Sequence, residues 1–150
     1  MTAATDIDIP SLMDGAVRNR PDGLREAYLP SPCIQNHAAS LMPLPGGDLG
    51  CVWFGGTQEG KSDISVYFSR LPSGGDTWSK PVRLSDDAER SEQNPILFPT
   101  PNGELWLLHT SQRLGNQDTS VVKRRISRDG GRTWAQVLSR RRLRGTDSWT

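Results

Sequence analysis

The stretch Ser127-Arg128-Asp129-Gly130-Gly131-Arg132-Thr133-Trp134 decides the reading of this chain. It fits the pattern S-x-D-x-G-x-T-W at every fixed position. The pattern describes a tight turn between two antiparallel strands. Gly130 and Gly131 supply the positive φ angles that such a turn requires. Asp129 is placed to accept bonds from the turn's N–H groups, the usual role of a turn aspartate. Ser127 and Thr133 are placed to tie the arms together, and Trp134 covers the hairpin with apolar area.

A weaker copy lies upstream at Leu71–Trp78, LPSGGDTW, with Leu71 and Ser73 where serine and aspartate belong. Trp134 follows Trp78 by 56 residues. The same offset carries Gly47 to Gly103, Asp48 to Glu104 and Leu49 to Leu105. An offset held over that span is an internal repeat, and its period is that of propeller blades or solenoid units. Each unit predicts four short strands. In the first they are Ala38–Leu44, Leu49–Phe54, Ile64–Arg70 and Trp78–Leu84. In the second they are Pro95–Thr100, Leu105–Thr110, Ser120–Ser127 and one starting at Trp134. Four strands per repeat predict an all-β protein of four-stranded antiparallel blades, a β-propeller.

These motifs resemble those of the Asp-box (BNR-repeat) sialidase-like superfamily, over about Tyr28 to Trp134. The resemblance implies a propeller of six or seven blades and, in many members, action on glycans. Gln35–Arg70 is most similar to a branch that loosely resembles lyases of rhamnose–glucuronate linkages. The Asp boxes are structural in that superfamily, so Asp129 is expected to serve the fold. Sialidases carry an Arg-Ile-Pro-type motif near the start of the first blade. Here Tyr28-Leu29-Pro30 stands in its place without the arginine that binds sialate, which argues against true sialidase activity.

Strand alternation places both boxes at one end of the blades and puts the opposite loops, rich in polar residues, around the axis. Loops on a rigid scaffold are where sites are usually built. Candidate catalytic residues there are His37, Glu59 and Asp63. A histidine in that place suits acid–base chemistry, including removal of the proton α to a uronate carboxylate. Glu59 and Asp63 are the carboxylates that glycoside hydrolysis would need. Candidate substrate-binding residues are Asn36, Arg90, Asn94 and Arg113. The arginines suit a sugar carboxylate because guanidinium pairs with it through two bonds. His109, on a strand of the second unit, is expected to pack.

Six or seven repeats need roughly 340 to 390 residues, and the sequence has 150. The expectation is therefore an N-terminal fragment or truncated reading frame, with open strand edges and little activity alone. Its parts are an N-terminal arm at 1–21, two blades over 22–139 and an irregular basic tail at 140–150. Nine of 18 lysines and arginines lie from Lys123 onward, yet the formal net charge is +1 and no nucleic-acid module accompanies them. The reading expects no nucleic-acid partner, no membrane, no metal and no cofactor. With neither a signal peptide nor a spanning segment in view, it expects a cytoplasmic chain. Cys33 and Cys51 are expected to be reduced. The functional expectation is a carbohydrate-active enzyme, hydrolase or uronate lyase, on an acidic oligosaccharide or polysaccharide. The alternatives are a non-catalytic glycan- or protein-binding propeller and an inactive truncated product.

Overall fold

The computed structural model describes residues 9–85, 87–114, 116–143 and 146–149. One helical turn, α1 (Ile9–Leu12), precedes a short ribbon of β1 (Arg18–Asn19) and β2 (Arg25–Glu26). Blade one is a four-stranded antiparallel sheet, β3 (Gln35–Pro43), β4 (Leu49–Gly56), β5 (Ser65–Leu71) and β6 (Val82–Arg83), paired in chain order. Blade two pairs β7 (Ser91–Pro99), β8 (Leu105–Arg113), β9 (Asn116–Ser127) and β10 (Leu138–Leu143) in the same order, with β11 (Thr146–Trp149) added outside.

The repeat is held to the single residue. Leu49 faces Leu71 in blade one, and Leu105 faces Ser127 in blade two. The inner strands share a bulge as well, between His37 and Ser40 in one blade and between Gln93 and Ile96 in the other. Within each bulge stands a residue with positive φ that is not glycine, Ala38 at 50° and Asn94 at 52°.

Differences from the sequence expectation lie at strand ends. The fourth strand of blade one was expected from Trp78, but only Val82–Arg83 joins the ladder. Trp78 instead gives its N–H to Gly15 O, and Pro81 has no N–H to give. The fourth strand of blade two begins at Leu138 rather than at Trp134, because Ala135 closes the box turn first through Ile126 O. The expected irregular tail, 140–150, carries the end of β10 and all of β11.

The main core lies between the blades. Val52, Val66, Phe68, Leu44 and Leu84 of blade one meet Leu97, Leu105 and Leu107 of blade two. The other face of blade one buries Cys51, Trp53, Leu71 and Trp78 under Val17, Ala27 and Leu29 of the N-terminal segment. That segment is stitched down by Val17 N to Asp76 O and by an isolated bridge between Ala16 and Thr77. Gly15 permits the approach, since a Cβ there would stand 2.9 Å from Trp78 O. The outer face of blade two leaves Ile96 and Phe98 half exposed, at 51% each.

Candidate functional site

The two ends of the blades differ in chemistry. At one end lie the boxes. Asp129 Oδ1 accepts from Ser127 Oγ at 2.7 Å, Arg132 N at 2.9 Å and Thr133 N at 2.8 Å, and its Oδ2 accepts from Thr133 Oγ1 at 2.5 Å. Bonds from Thr133, Ser127 and Arg132 hold its carboxyl well below the usual carboxylate range. Ser127 Oγ closes the turn by accepting from Gly131 N at 2.7 Å. The weaker box has Ser73 in the aspartate position, and there Asp48 substitutes from the neighbouring turn. Its carboxylate accepts from Ser73 N at 2.9 Å and pairs with Arg70, which also donates to Gly130 O in the other box. This end is tied together as structure.

The opposite end carries the candidate residues. His37 is exposed near the start of β3, with its ring stacked on Phe54 at 5.3 Å between centroids. Asn36 precedes it. Its Oδ1 accepts from Ser31 Oγ at 2.6 Å and Trp53 Nε1 at 3.0 Å, and its Nδ2 donates to Cys33 O at 3.2 Å. The side chain therefore fixes the loop that presents His37. Trp53 stacks in turn on Tyr67 at 5.9 Å, and burial together with the Cys33 thiol pushes the Tyr67 phenol up to about 12.

Glu59 and Asp63 are exposed in the β4–β5 loop, where Asp63 Oδ2 accepts from Thr57 N at 3.0 Å. Asn94 is exposed at its bulge. Arg113 is exposed at the end of β8, its N–H bonded to Thr119 Oγ1 at 2.8 Å. Arg90 differs from the other candidates. Its guanidinium donates to Ser111 Oγ at 3.0 Å, Ser111 O at 2.7 Å and Thr119 O at 2.6 Å. It braces the top of blade two, with most of its donors occupied.

Sequence reasoning passed over one cluster. Glu92 is buried on β7, and His109 and Lys123 are buried beside it on β8 and β9. Glu92 Oε1 lies 2.7 Å from Lys123 Nζ and 3.3 Å from His109 Nε2, while Asp87 Oδ2 reaches Lys123 Nζ at 2.9 Å. Burial alone would raise the Glu92 carboxyl. The bonds and charges of His109 and Lys123 outweigh it and hold the group at about 2. The signal was present in the repeat: these three residues stand 56 positions after Asn36, Trp53 and Tyr67.

Among the described residues, no group of His, Cys, Asp and Glu is arranged to hold a metal ion, and no helix is long and apolar enough to cross a membrane.

The fold with its two boxes defines a class, the blades of a sialidase-like β-propeller. The model of one family, the BNR repeat-like domain, matches residues 47–149, and the chain belongs to that family. Among solved structures it is similar to a Hadza microbial sialidase, with a TM-score of 0.60 and 14% identity over 71% of this chain and 26% of that one. It is also similar to an endo-arabinase from Bacteroides thetaiotaomicron, with a TM-score of 0.50 and 14% identity over 87% of this chain and 61% of that one. At such identity the likeness concerns the fold. The chain thus spans about a quarter of the sialidase and about three fifths of the arabinase. No curated protein matches it in sequence.

Proposed function

We propose that this chain contributes two blades of a propeller acting on an acidic glycan, with the reacting end opposite the Asp boxes. The reading rests on one observation above all. His37 is exposed at the entrance of the inner strand, its ring backed by Phe54 and its loop fixed by Asn36. An imidazole so held is oriented for proton transfer and open to a ligand.

The β-elimination reading has the better support within this proposal. His37 removes the proton α to the uronate carboxylate. The C–H electron pair forms the C4–C5 double bond, and the C4–O bond breaks as the leaving sugar oxygen takes a proton. An arginine neutralises the carboxylate and so stabilises the enolate-like transition state. Arg113 suits that role better than Arg90, whose donors already serve Ser111 and Thr119. For the hydrolase reading, Glu59 and Asp63 would supply the paired carboxylates. Asp63 is partly occupied in capping its own loop, which weighs toward the lyase.

The test incubates the protein with a rhamnose–glucuronate oligosaccharide and, separately, a sialylated one. Growth of ultraviolet absorbance from the new C4–C5 double bond supports the lyase. Free sialic acid would favour the hydrolase despite the missing arginine. Saturable binding of either sugar without turnover would favour the non-catalytic glycan-binding propeller.

A further inference from the structure

The two blades spend the same three register positions on different chemistry. In blade one they hold Asn36, Trp53 and Tyr67, a neutral set joined by a Trp53 Nε1 bond and a ring stack. In blade two they hold Glu92, His109 and Lys123, an ion pair with an imidazole beside it. The face that carries this set also carries Leu105 and Leu107, which pack against blade one. The set therefore lies in the seam between the blades. Glu92 crosses that seam itself, through its N–H to Ile64 O at 3.1 Å.

The titratable groups around Glu92 in the seam are Asp87 from the linker, His109 from β8 and Lys123 from β9. Among the described residues, no ion pair joins them to a side chain of blade one. Glu92 is the hub, since the same Oε1 meets both His109 and Lys123. Elsewhere the seam is fastened at two places, and at the box end the Asp48 carboxylate of blade one also lies 4.0 Å from Arg132 of blade two, so Asp48 is a second acid-titrating group on the seam. Arg125 Nη1 donates to Leu84 O at 2.5 Å, and Arg70 donates to Gly130 O at the box end.

We propose that this cluster is an acid-opened seam: protonation of Glu92 releases Lys123 and frees the upper end of blade two from blade one while both sheets stay formed. A buried cation that loses the more deeply buried of its two carboxylates is costly in place, and the nearest relief is to follow the remaining one, Asp87, toward water. The sign is that of a depressed acid. The folded carboxyl sits at about 2 against an ordinary 4.5, so the contribution is complete above about 4.5 and is lost as pH falls toward 2.

The experiment titrates the 150-residue chain from pH 7 to pH 2 with an apolar-surface dye, far-UV circular dichroism and amide exchange at Glu92. In the parent, dye fluorescence should rise several-fold below about pH 4.5 and Glu92 N–H should lose protection, with the circular dichroism unchanged. Glu92→Gln holds the uncharged form at every pH with Lys123 in place, so its dye signal should be level across the range and raised to the parent's acid value. Glu92→Asn with His109→Trp and Lys123→Tyr installs the neutral set of blade one, removes the cation, and should be level at the parent's neutral value. A parent-like acid rise in Glu92→Gln overturns the proposal, even if the triple variant fails to fold. Simultaneous loss of the circular dichroism in the parent overturns it as well.

Discussion

Ala38 and Asn94 occupy the same left-handed bulge in successive blades, 56 residues apart, with φ angles that differ by two degrees. The geometry belongs to the blade, not to the residue type, because asparagine tolerates it and alanine does not. In blade one it directly follows His37. The bulge lets the inner strand gain a residue against β4 and re-aim its upper end. A non-glycine residue held there costs on the order of 1 kcal/mol.

Ala38→Asn should therefore stabilise the protein by about 0.5–1 kcal/mol, since it places the residue of blade two in the equivalent position. Ala38→Val should destabilise it by more than about 1 kcal/mol, because a β-branched side chain tolerates this region least. Urea midpoints at constant slope decide the point. A gain in stability for valine would show that the bulge relaxes freely.

Glu92→Leu alone should cost about 3–5 kcal/mol, because it leaves Lys123 buried with one partner fewer. Glu92→Leu combined with His109→Phe and Lys123→Met should cost less than that single change. Replacing a whole buried ionic set with apolar residues is often neutral. Denaturant melts of the two proteins give the comparison, and strict additivity would exclude the coupling drawn here.

The two free thiols should separate cleanly. Burial pushes the Cys51 thiol up to about 11, so little thiolate exists at pH 8. Cys33 is only half buried. In the folded protein iodoacetamide should modify Cys33 at least about tenfold faster than Cys51, with the difference vanishing in denaturant. Peptide mass spectrometry over time reads both rates.

The architecture was legible because turns are local. SRDGGRTW carries its own bond partners within a few residues, and the 56-residue offset then places β4, β5, β8 and β9. What stayed hidden depends on distant groups. The fourth strand of blade one is short because Gly15, far off in sequence, takes the Trp78 N–H. The strand β7 runs back to Ser91, past Pro95, because the bulge spares the proline a ladder bond. Asp48 stands in for the missing box aspartate from another turn, which no motif within Leu71–Trp78 announces. Glu92 gave no signal of its own because its partners lie 17 and 31 residues ahead. Arg90 read as a ligand clamp because Ser111 and Thr119 are not its sequence neighbours.

Asp129 and His37 lie at opposite ends of the blades, and the two should fail in different ways. Asp129 accepts bonds from Ser127, Arg132 and Thr133 within one turn. Asp129→Ala strips those donors of their acceptor, so it should lower stability while leaving turnover per folded molecule unchanged. Its acid dependence has the sign of a depressed carboxylate. The contribution is complete above the ordinary aspartate range and fades as pH falls below it. His37 stacks on Phe54 at the surface, and among the described residues no buried hydrogen bond runs to its ring. His37→Ala should therefore change the melting curve little and, on the proposed chemistry, lower turnover of a glucuronate-containing oligosaccharide by about a hundredfold or more. His37→Gln keeps the polar shape without the proton-transfer range and should be as slow as alanine. The pair is measured on the protein assayed with its active sugar, with unfolding curves alongside. Full activity in His37→Ala with an unchanged melt would remove His37 from the chemistry, leaving Glu59 and Asp63 as the acid–base candidates. Loss of activity in Asp129→Ala at temperatures where it is fully folded would mean that the box end communicates with the reacting end, contrary to the division of labour argued from the two sets of bonds.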